Sequence, residues 1–199
     1  MCILMDLIFA THNEHKVAEV QAMLPSAIRI RSLREMGCLD EIPETHHTLK
    51  GNALQKARFV AARYNAPCFA DDTGLEIDAL EGRPGVYSAR YAGEGCTFAD
   101  NVRKVLDEMR GITAMSARSA RFRTVVALIM DGKEYFFEGK VEGFILPEPS
   151  GHEGFGYDPV FLPAGWTKSF AEMDAADKNR ISHRGQAIGS LVEFLKRLP

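Results

Sequence analysis

Four short stretches of this sequence carry residue types suited to handling phosphate. The first is Thr11-His12-Asn13-Glu14-His15-Lys16, which follows an apolar run and opens a helical pattern. A helix start offers backbone N–H groups and a positive dipole end to an anion. Thr11 and Asn13 add hydrogen-bonding groups, and Lys16 adds a point charge. The same residues also suit an Asn-capped helix with a solvated lysine. His12 and His15 lack an evident third ligand that would make them a metal site.

The second stretch is Phe69-Ala70-Asp71-Asp72-Thr73-Gly74. Adjacent carboxylates on a strand leave in opposite directions, so one can do chemistry while the other is structural. Carboxylates at a strand end suit Mg2+, a hard cation that prefers oxygen. A polar turn would use the same Asp and Gly residues, but the apolar Phe69-Ala70 makes bare carboxylates there costly and favours a functional reading. The third stretch, Gly151-His152-Glu153-Gly154-Phe155-Gly156-Tyr157-Asp158-Pro159, allows close backbone approach and offers two flat rings. Its spacing fits neither a Walker A loop nor a dinucleotide-binding turn, and a wide flexible turn has the same composition. The fourth, Lys178-Asn179-Arg180-Ile181-Ser182-His183-Arg184-Gly185, puts three cations at the start of the last predicted helix. Cations there oppose the helix dipole, so a bound anion or acids such as Asp174 and Asp177 must compensate.

The elements that position these stretches follow from periodicity. Ile3 to Ala10 reads as a buried strand. Asn13 caps a helix carrying Val17, Val20 and Leu24, which Pro25 stops. Ile28 and Ile30 alternate with arginines as a half-buried strand. A second helix spans about Lys50 to Tyr64, with Leu54, Ala57, Ala61 and Tyr64 on one face. Cys68-Phe69-Ala70 is a short strand running into the two aspartates, and Leu75, Ile77 and Ala79 alternate as another. Thr97 and Asp100 form a capping box for a helix with Phe98, Val102, Val105 and Met109 inward. Arg121 to Met130 and a return strand with Tyr135, Phe137 and Val141 flank Asp131-Gly132, a type I′ turn signal. After a Gly/Pro-rich loop from Pro147 to Pro159, Ser182 caps a last helix with Ile188, Leu191, Leu195 and Leu198 on its core face. Crossover and hairpin connections together predict an α/β fold, a mixed sheet flanked by helices.

Composition sets the bounds. The chain has 199 residues, 46% hydrophobic and 26% charged, which suits one globular domain and excludes a disordered chain. The longest apolar runs, such as Val125 to Met130, fall far short of the roughly 20 residues that cross a bilayer. Met1-Cys2-Ile3-Leu4-Met5-Asp6 has no basic region and does not read as a signal peptide. A net charge of −3, from 24 basic and 27 acidic residues, argues against a nucleic-acid or membrane partner. Cys2, Cys38, Cys68 and Cys96 form no Cys-x-x-Cys pair, which points to reduced thiols in the cytoplasm.

Five pieces in register resemble the inosine triphosphate pyrophosphatase family. They are Phe9-Ala10-Thr11 with Asn13 and Lys16; Ala70 to Leu75; Pro84 to Tyr91; Gly154 to Pro159; and Lys178 with Ile181 to Gly185. Each is weak alone, but they span nearly the whole chain. The resemblance implies a single domain over residues 1–199 with a long mixed sheet, two lobes and a deep central cleft. It implies a cytoplasmic homodimer that needs Mg2+. The implied reaction is hydrolysis of aberrant purine nucleoside triphosphates (ITP, dITP, XTP) to monophosphate and pyrophosphate, which keeps deaminated purines out of DNA and RNA.

Carried over by position, the resemblance implies that Thr11, His12, Asn13, Glu14, His15 and Lys16 hold the triphosphate, with Lys56 near the phosphates. It implies that Asp72 is the catalytic residue and binds metal with Glu44, and that Thr73 touches substrate. Phe155, Gly156, Tyr157 and Asp158 would form the base platform, with Phe155 stacking. Lys178, His183 and Arg184 would read the 6-keto purine. Two departures stand out. His12 replaces a small residue or asparagine, and Gly51-Asn52-Ala53 stands where relatives often have Glu-Asn-Ala. If that glutamate helps hold metal, Glu44 must do more here.

Two other readings use the same residues differently. An enzyme of this fold could act on modified pyrimidines instead. A non-catalytic nucleotide sensor would have no need of Asp72, a water-positioning carboxylate, alongside Lys16 and Lys178.

Overall fold

The computed structural model describes residues 5–198. Ile3 and Leu4 of the first predicted strand, Cys2 and the opening residues lie outside that range. The elements run β1 (Met5–Phe9), α1 (Glu14–Met23), β2 (Ile28–Ser32), α2 (Leu49–Tyr64), β3 (Cys68–Ile77), β4 (Pro84–Gly85), α3 (Phe98–Glu108), β5 (Ser119–Met130), β6 (Lys133–Ile145), β7 (Phe161–Pro163), α4 (Ala175–Ile181) and α5 (His183–Leu195). The seven strands form one sheet in the order β2-β1-β3-β5-β6-β7, with β4 on β3. β1 pairs in parallel with β2 and β3, whereas β3–β4 and β6–β7 are antiparallel. The sheet is therefore mixed, as the connections predict.

The chain divides into two compact units. The first comprises Met1–Asp72, Thr124–Gly139 and Arg184–Pro199, and the second Thr73–Arg123 and Lys140–His183. The first unit has three layers, set by strand alternation. Leu7, Phe9, Phe69, Val126 and Leu128 point to one face, where Val20 of α1 and Ile188, Leu191 and Leu195 of α5 cover them. Ile8, Ala10, Cys68, Ala70 and Ala127 point to the other, under Ala53, Ala57 and Val60 of α2. The small residues on that side let α2 pack close to the sheet. The second unit has its own core, built from Leu75, Ile77, Val102, Val105, Met109, Phe122, Phe161 and Phe170 among others.

Local signals account for most element ends. Asn13 caps α1 by accepting from the His15 and Lys16 N–H groups. Thr97 and Asp100 close a reciprocal capping box on α3. Asp131 and Gly132 take positive φ of 50° and 71°, the geometry of a type I′ hairpin turn.

The structure corrects four expectations. The two strands expected at Cys68–Ala70 and from Leu75 are one: β3 runs unbroken for 10 residues from Cys68 to Ile77, through Asp71 to Gly74. Ala79 lies beyond it in a short 3-10 turn. The buried face of α2 is Leu49, Asn52, Ala53, Lys56, Ala57 and Val60 rather than Leu54, Ala61 and Tyr64, because two polar residues on that face have buried partners. Phe98 is 42% exposed instead of inward.

Cys38, Cys68 and Cys96 are free thiols. Cys68 lies under α2, its Sγ–H donating to the Ala57 carbonyl at 3.2 Å, and burial pushes its pKa up to about 12. At pH 8 its thiolate fraction is then on the order of 10⁻⁴, and the thiolate is the reactive form. Iodoacetamide at pH 8 should therefore modify half-buried Cys96 and leave Cys68 intact until denaturant is added. Peptide mapping that finds Cys68 modified as fast as Cys96 would contradict this packing.

Candidate active site

The first unit holds a buried ionic centre arranged around two consecutive carboxylates of β3. Because strand side chains alternate, Asp71 emerges on the face of Phe69, towards α1 and α5, and Asp72 on the face of Ala70, towards α2. Lys16 Nζ donates to Asp71 Oδ1 at 2.8 Å. Arg184 Nε donates to Asp71 Oδ2 at 3.2 Å, and Arg184 Nη1 to Glu19 Oε2 at 2.5 Å. Lys16 and Glu19 lie three residues apart on α1, so one helix face supplies a cation to Asp71 and an anion to its other partner.

On the opposite side, α2 presents Asn52 and Lys56 four residues apart. Asn52 Nδ2 donates to Asp72 Oδ2 at 3.2 Å. Lys56 Nζ donates to Glu44 Oε1 at 2.5 Å and lies 3.5 Å from Asp72 Oδ1. Glu44 comes from the irregular segment before α2. It is anchored close by: Thr45 N–H donates to Gln55 Oε1 at 3.0 Å and His46 N–H to Asn52 Oδ1 at 2.9 Å.

The charges in this centre perturb one another. Burial alone would raise the Asp71 carboxyl, but the Lys16 ammonium, the Arg184 guanidinium and Lys56 outweigh it and hold it well below the usual carboxylate range. For Asp72 burial wins over Lys56 and Lys16, and Glu44 adds to it, so its carboxyl is raised. Burial lowers the Lys16 ammonium against the pull of Asp71. Burial would also lower Lys56, but Asp72 and Glu44 outweigh it, so Lys56 is raised. Neighbouring aspartates are thus driven in opposite directions, a pattern that marks sites of acid–base chemistry.

The donor set also suits a hard divalent cation. Glu44 and Asp72 both direct an oxygen at one ammonium, Lys56 Nζ. No group of three or more His, Cys, Asp or Glu side chains converges among the described residues. Mg2+ does not require one, since it commonly takes one or two carboxylates and completes its shell with water and phosphate oxygens.

The remaining first-stretch residues form the turn into α1. Thr11 Oγ1 accepts from the Asn13 N–H at 3.1 Å, and His12 Nε2 lies 3.0 Å from the Asp40 carbonyl. Glu14 and His15 are exposed in the first helical turn. Because Asn13 takes the N–H groups of His15 and Lys16, the protein itself satisfies two of the first-turn donors.

The second unit holds an aromatic and cationic centre. Asp158, buried in a short 3-10 turn, organises it. Its Oδ2 accepts from the Phe155 N–H at 2.7 Å and from Lys178 Nζ at 2.8 Å. The carboxylate lies so close to Gly154 that an added Cβ there would stand 2.2 Å from Oδ2, and φ at Gly154 is +75°. Lys178 Nζ sits 5.1 Å from the Phe155 ring centroid and 5.9 Å from that of Phe170. Tyr157 is buried, its hydroxyl donating to the Ser88 carbonyl at 2.9 Å, with burial raising its pKa. His183 stacks on Phe122 with centroids 4.5 Å apart and rings 15° from parallel. Gly156 sits between Phe155 and Tyr157 with a φ of +67°.

The fourth stretch differs from expectation. Lys178 and Arg180 belong to a separate helix, α4, capped by Asp174, and Ser182 ends that helix; α5 starts at His183. Asp158 and Phe155, rather than a helix start, account for Lys178. Arg180 pairs with Asp177 at 3.0 Å. The structure groups Lys178 and His183 with Phe155, Tyr157 and Asp158 in the second unit, and Arg184 with Asp71 and Glu19 in the first. Thr73, next to Asp72, opens the second unit.

A profile of the Ham1 family matches residues 7–194. The chain belongs to the Ham1 family. The family resemblance read from the five sequence pieces is therefore borne out. The chain is 55% identical to a dITP/XTP pyrophosphatase of Porphyromonas gingivalis over 95% of its length and 96% of that protein's. It is 47% identical to the Bacillus subtilis protein of the same name over 98% of its own length and 100% of the relative's. The Ham1 protein of Coxiella burnetii superposes with a TM-score of 0.88 at 39% identity, covering 98% of this chain and 100% of that one. No helix among the described residues is long and apolar enough to cross a membrane.

Sequence reasoning missed Glu19 and Asn52. Both have a signal in hindsight: each is a polar residue one helical turn from a candidate lysine, at Lys16 and Lys56, on a face that packs against the sheet.

The Asp71 shift has a stability consequence. A carboxyl depressed in the folded state stabilises the protein above its unfolded pKa of about 4, and that contribution is lost as pH falls below it. Urea midpoints measured from pH 7 to pH 2.5 should therefore drop at the acid end. In Asp71→Asn the midpoint at pH 7 should be lower and the acid limb shallower. Equal limbs in the two proteins would show that Asp71 is not the responsible group.

Proposed function

We propose that this Ham1 protein hydrolyses dITP, XTP and ITP to the monophosphate and pyrophosphate with Mg2+, removing deaminated purine nucleotides. One observation carries the reading: Asp72 and Glu44, two buried or half-buried carboxylates on separate segments, converge on the ammonium of Lys56. Its support is that relatives about half identical over nearly the full length are named dITP/XTP pyrophosphatases. In this reading the working form is a cytoplasmic homodimer, as the resemblance implies.

Asp72 and Glu44 would hold Mg2+, which supplies neutralisation of the phosphate oxygens and of the leaving pyrophosphate. Asp72 would orient the attacking water and accept its proton. Lys16 and Lys56 are fixed by the buried carboxylates of Asp71 and Asp72 and by half-buried Glu44, so their charge is in place before the transition state develops its own, and no reorganisation is needed. Thr11 to Lys16 would line the triphosphate, with Thr73 touching substrate. Phe155 would stack on the base, while Tyr157, Asp158 and Gly156 keep that ring in place. Lys178 and His183 would face the purine edge, and Arg184, which resemblance also assigns to the base, is here gripped by Asp71 and Glu19.

Selectivity follows from polar matching. Donors that meet a 6-keto oxygen would face the amino group of adenine and be left unpaired in a buried site. Mismatches of this kind give discrimination of roughly 10⁴-fold. The test is pyrophosphate release from ITP, XTP, dITP, dATP and dGTP with Mg2+. Release should be far lower from dATP than from ITP, XTP and dITP, and should stop in Asp72→Asn while ITP still binds. No release from any substrate, or a near wild-type rate in Asp72→Asn, would overturn the proposal.

A further inference from the structure

Asn52 joins two parts of the ionic centre through hydrogen bonds at both ends of its neutral amide. It is fully buried on α2. Its Oδ1 accepts from the His46 N–H at 2.9 Å, and its Nδ2 donates to Asp72 Oδ2 at 3.2 Å. These partners fix the orientation of the amide. A backbone N–H can only donate and an ionised carboxylate can only accept, so a flipped amide would face mismatches at both ends. Asn52 is thus locked between the segment that carries Glu44, two residues before His46, and the carboxylate of Asp72.

Asn52 and Lys56 lie at i and i+4 and take different oxygens of Asp72. Asn52 addresses Oδ2, and Lys56 lies 3.5 Å from Oδ1. A neutral donor on Oδ2 fixes the carboxylate plane without adding a second positive charge. The segment is brought in tightly here. An added Cβ at Gly51 would stand 2.7 Å from His46 Cβ, so His46 rests directly on the start of α2. The departure at Gly51 therefore has a local role: it lets His46 settle where its N–H reaches Asn52.

We infer that Asn52 is a positioning residue, which couples the orientation of Asp72 to the placement of Glu44 so that both carboxylates face the same point. This rests on the proposed pyrophosphatase reading. Groups that orient a reactive or metal-binding carboxylate typically affect activity or metal affinity by roughly 10- to 100-fold when removed.

Two variants test it. Asn52→Asp keeps an acceptor for the His46 N–H but loses the donor to Asp72; Asn52→Ala loses both. Each is purified beside wild type and assayed for pyrophosphate release from ITP. Folding is followed by thermal melting, and Mg2+ binding by calorimetry on the intact protein without nucleotide. The expected result is a kcat lowered roughly 10- to 100-fold in both, KM for ITP changed less than about threefold, and weaker Mg2+ binding in Asn52→Ala at temperatures where it remains folded. If Asn52→Asp is folded and keeps wild-type kcat, the positioning role is wrong. A lowered melting point with unchanged kcat and unchanged Mg2+ binding reduces Asn52 to a structural residue and overturns the inference. If wild type itself releases no pyrophosphate, the underlying function is wrong and the positioning role falls with it; that outcome is distinct, because it appears before any variant is made.

Discussion

The structure depends on placing two adjacent carboxylates in the middle of a buried strand. An isolated ionised carboxylate in an apolar interior is strongly disfavoured, and neutralisation or pairing must compensate. β3 solves this by alternation. Asp71 is sent to the α1 and α5 side, where Lys16 and Arg184 meet it, and Asp72 to the α2 side, where Asn52 and Lys56 meet it. Each helix around the sheet of the first unit is thereby obliged to carry a polar residue on its inner face. The layered packing and the ionic centre are one arrangement, because the helix faces that bury Ala53, Ala57 and Ile188 are also the faces that deliver charge.

Much of this was legible in the sequence because the signals were local. Asn13, Thr97 with Asp100, and Asp131-Gly132 each act within three residues, and each ends an element where its chemistry requires. Lys16, Lys56, Asp72 and Glu44 were legible by type and by resemblance. Two of the errors share one cause. Asp71-Asp72-Thr73-Gly74 has turn composition, but partners brought from residues 16, 56 and 184 make it strand. The inner face of α2 was misplaced by the same effect: Asn52 and Lys56 look solvent-seeking until Asp72 and Glu44 are seen beneath them. Phe98 looked like core from its spacing, yet it packs its ring 5.9 Å from Phe155 while remaining part-exposed.

The two centres differ in how they are held, and the difference suits different demands. The first is made of charges at 2.5 to 3.5 Å, drawn from β3, three helices and one loop. Such a network is rigid but no guarantee of stability, since apolar residues of similar size often replace buried ion pairs without loss. Its presence here suits chemistry that needs charges fixed in advance. The second is built on rings, with Lys178 between Phe155, Phe170 and Asp158, and His183 against Phe122. Flat apolar surfaces accept any purine, so stacking alone discriminates little. In the proposed reading the discriminating power would come from the few polar groups among them, of which Asp158 and Lys178 hold each other. Asp158 fixes both the Phe155 backbone and the Lys178 ammonium with one oxygen. In the proposed reading Lys178 would meet the base, and that economy would leave it little freedom to adapt to one with the wrong polarity; a donor that cannot move away is what turns a mismatched amino group into a penalty.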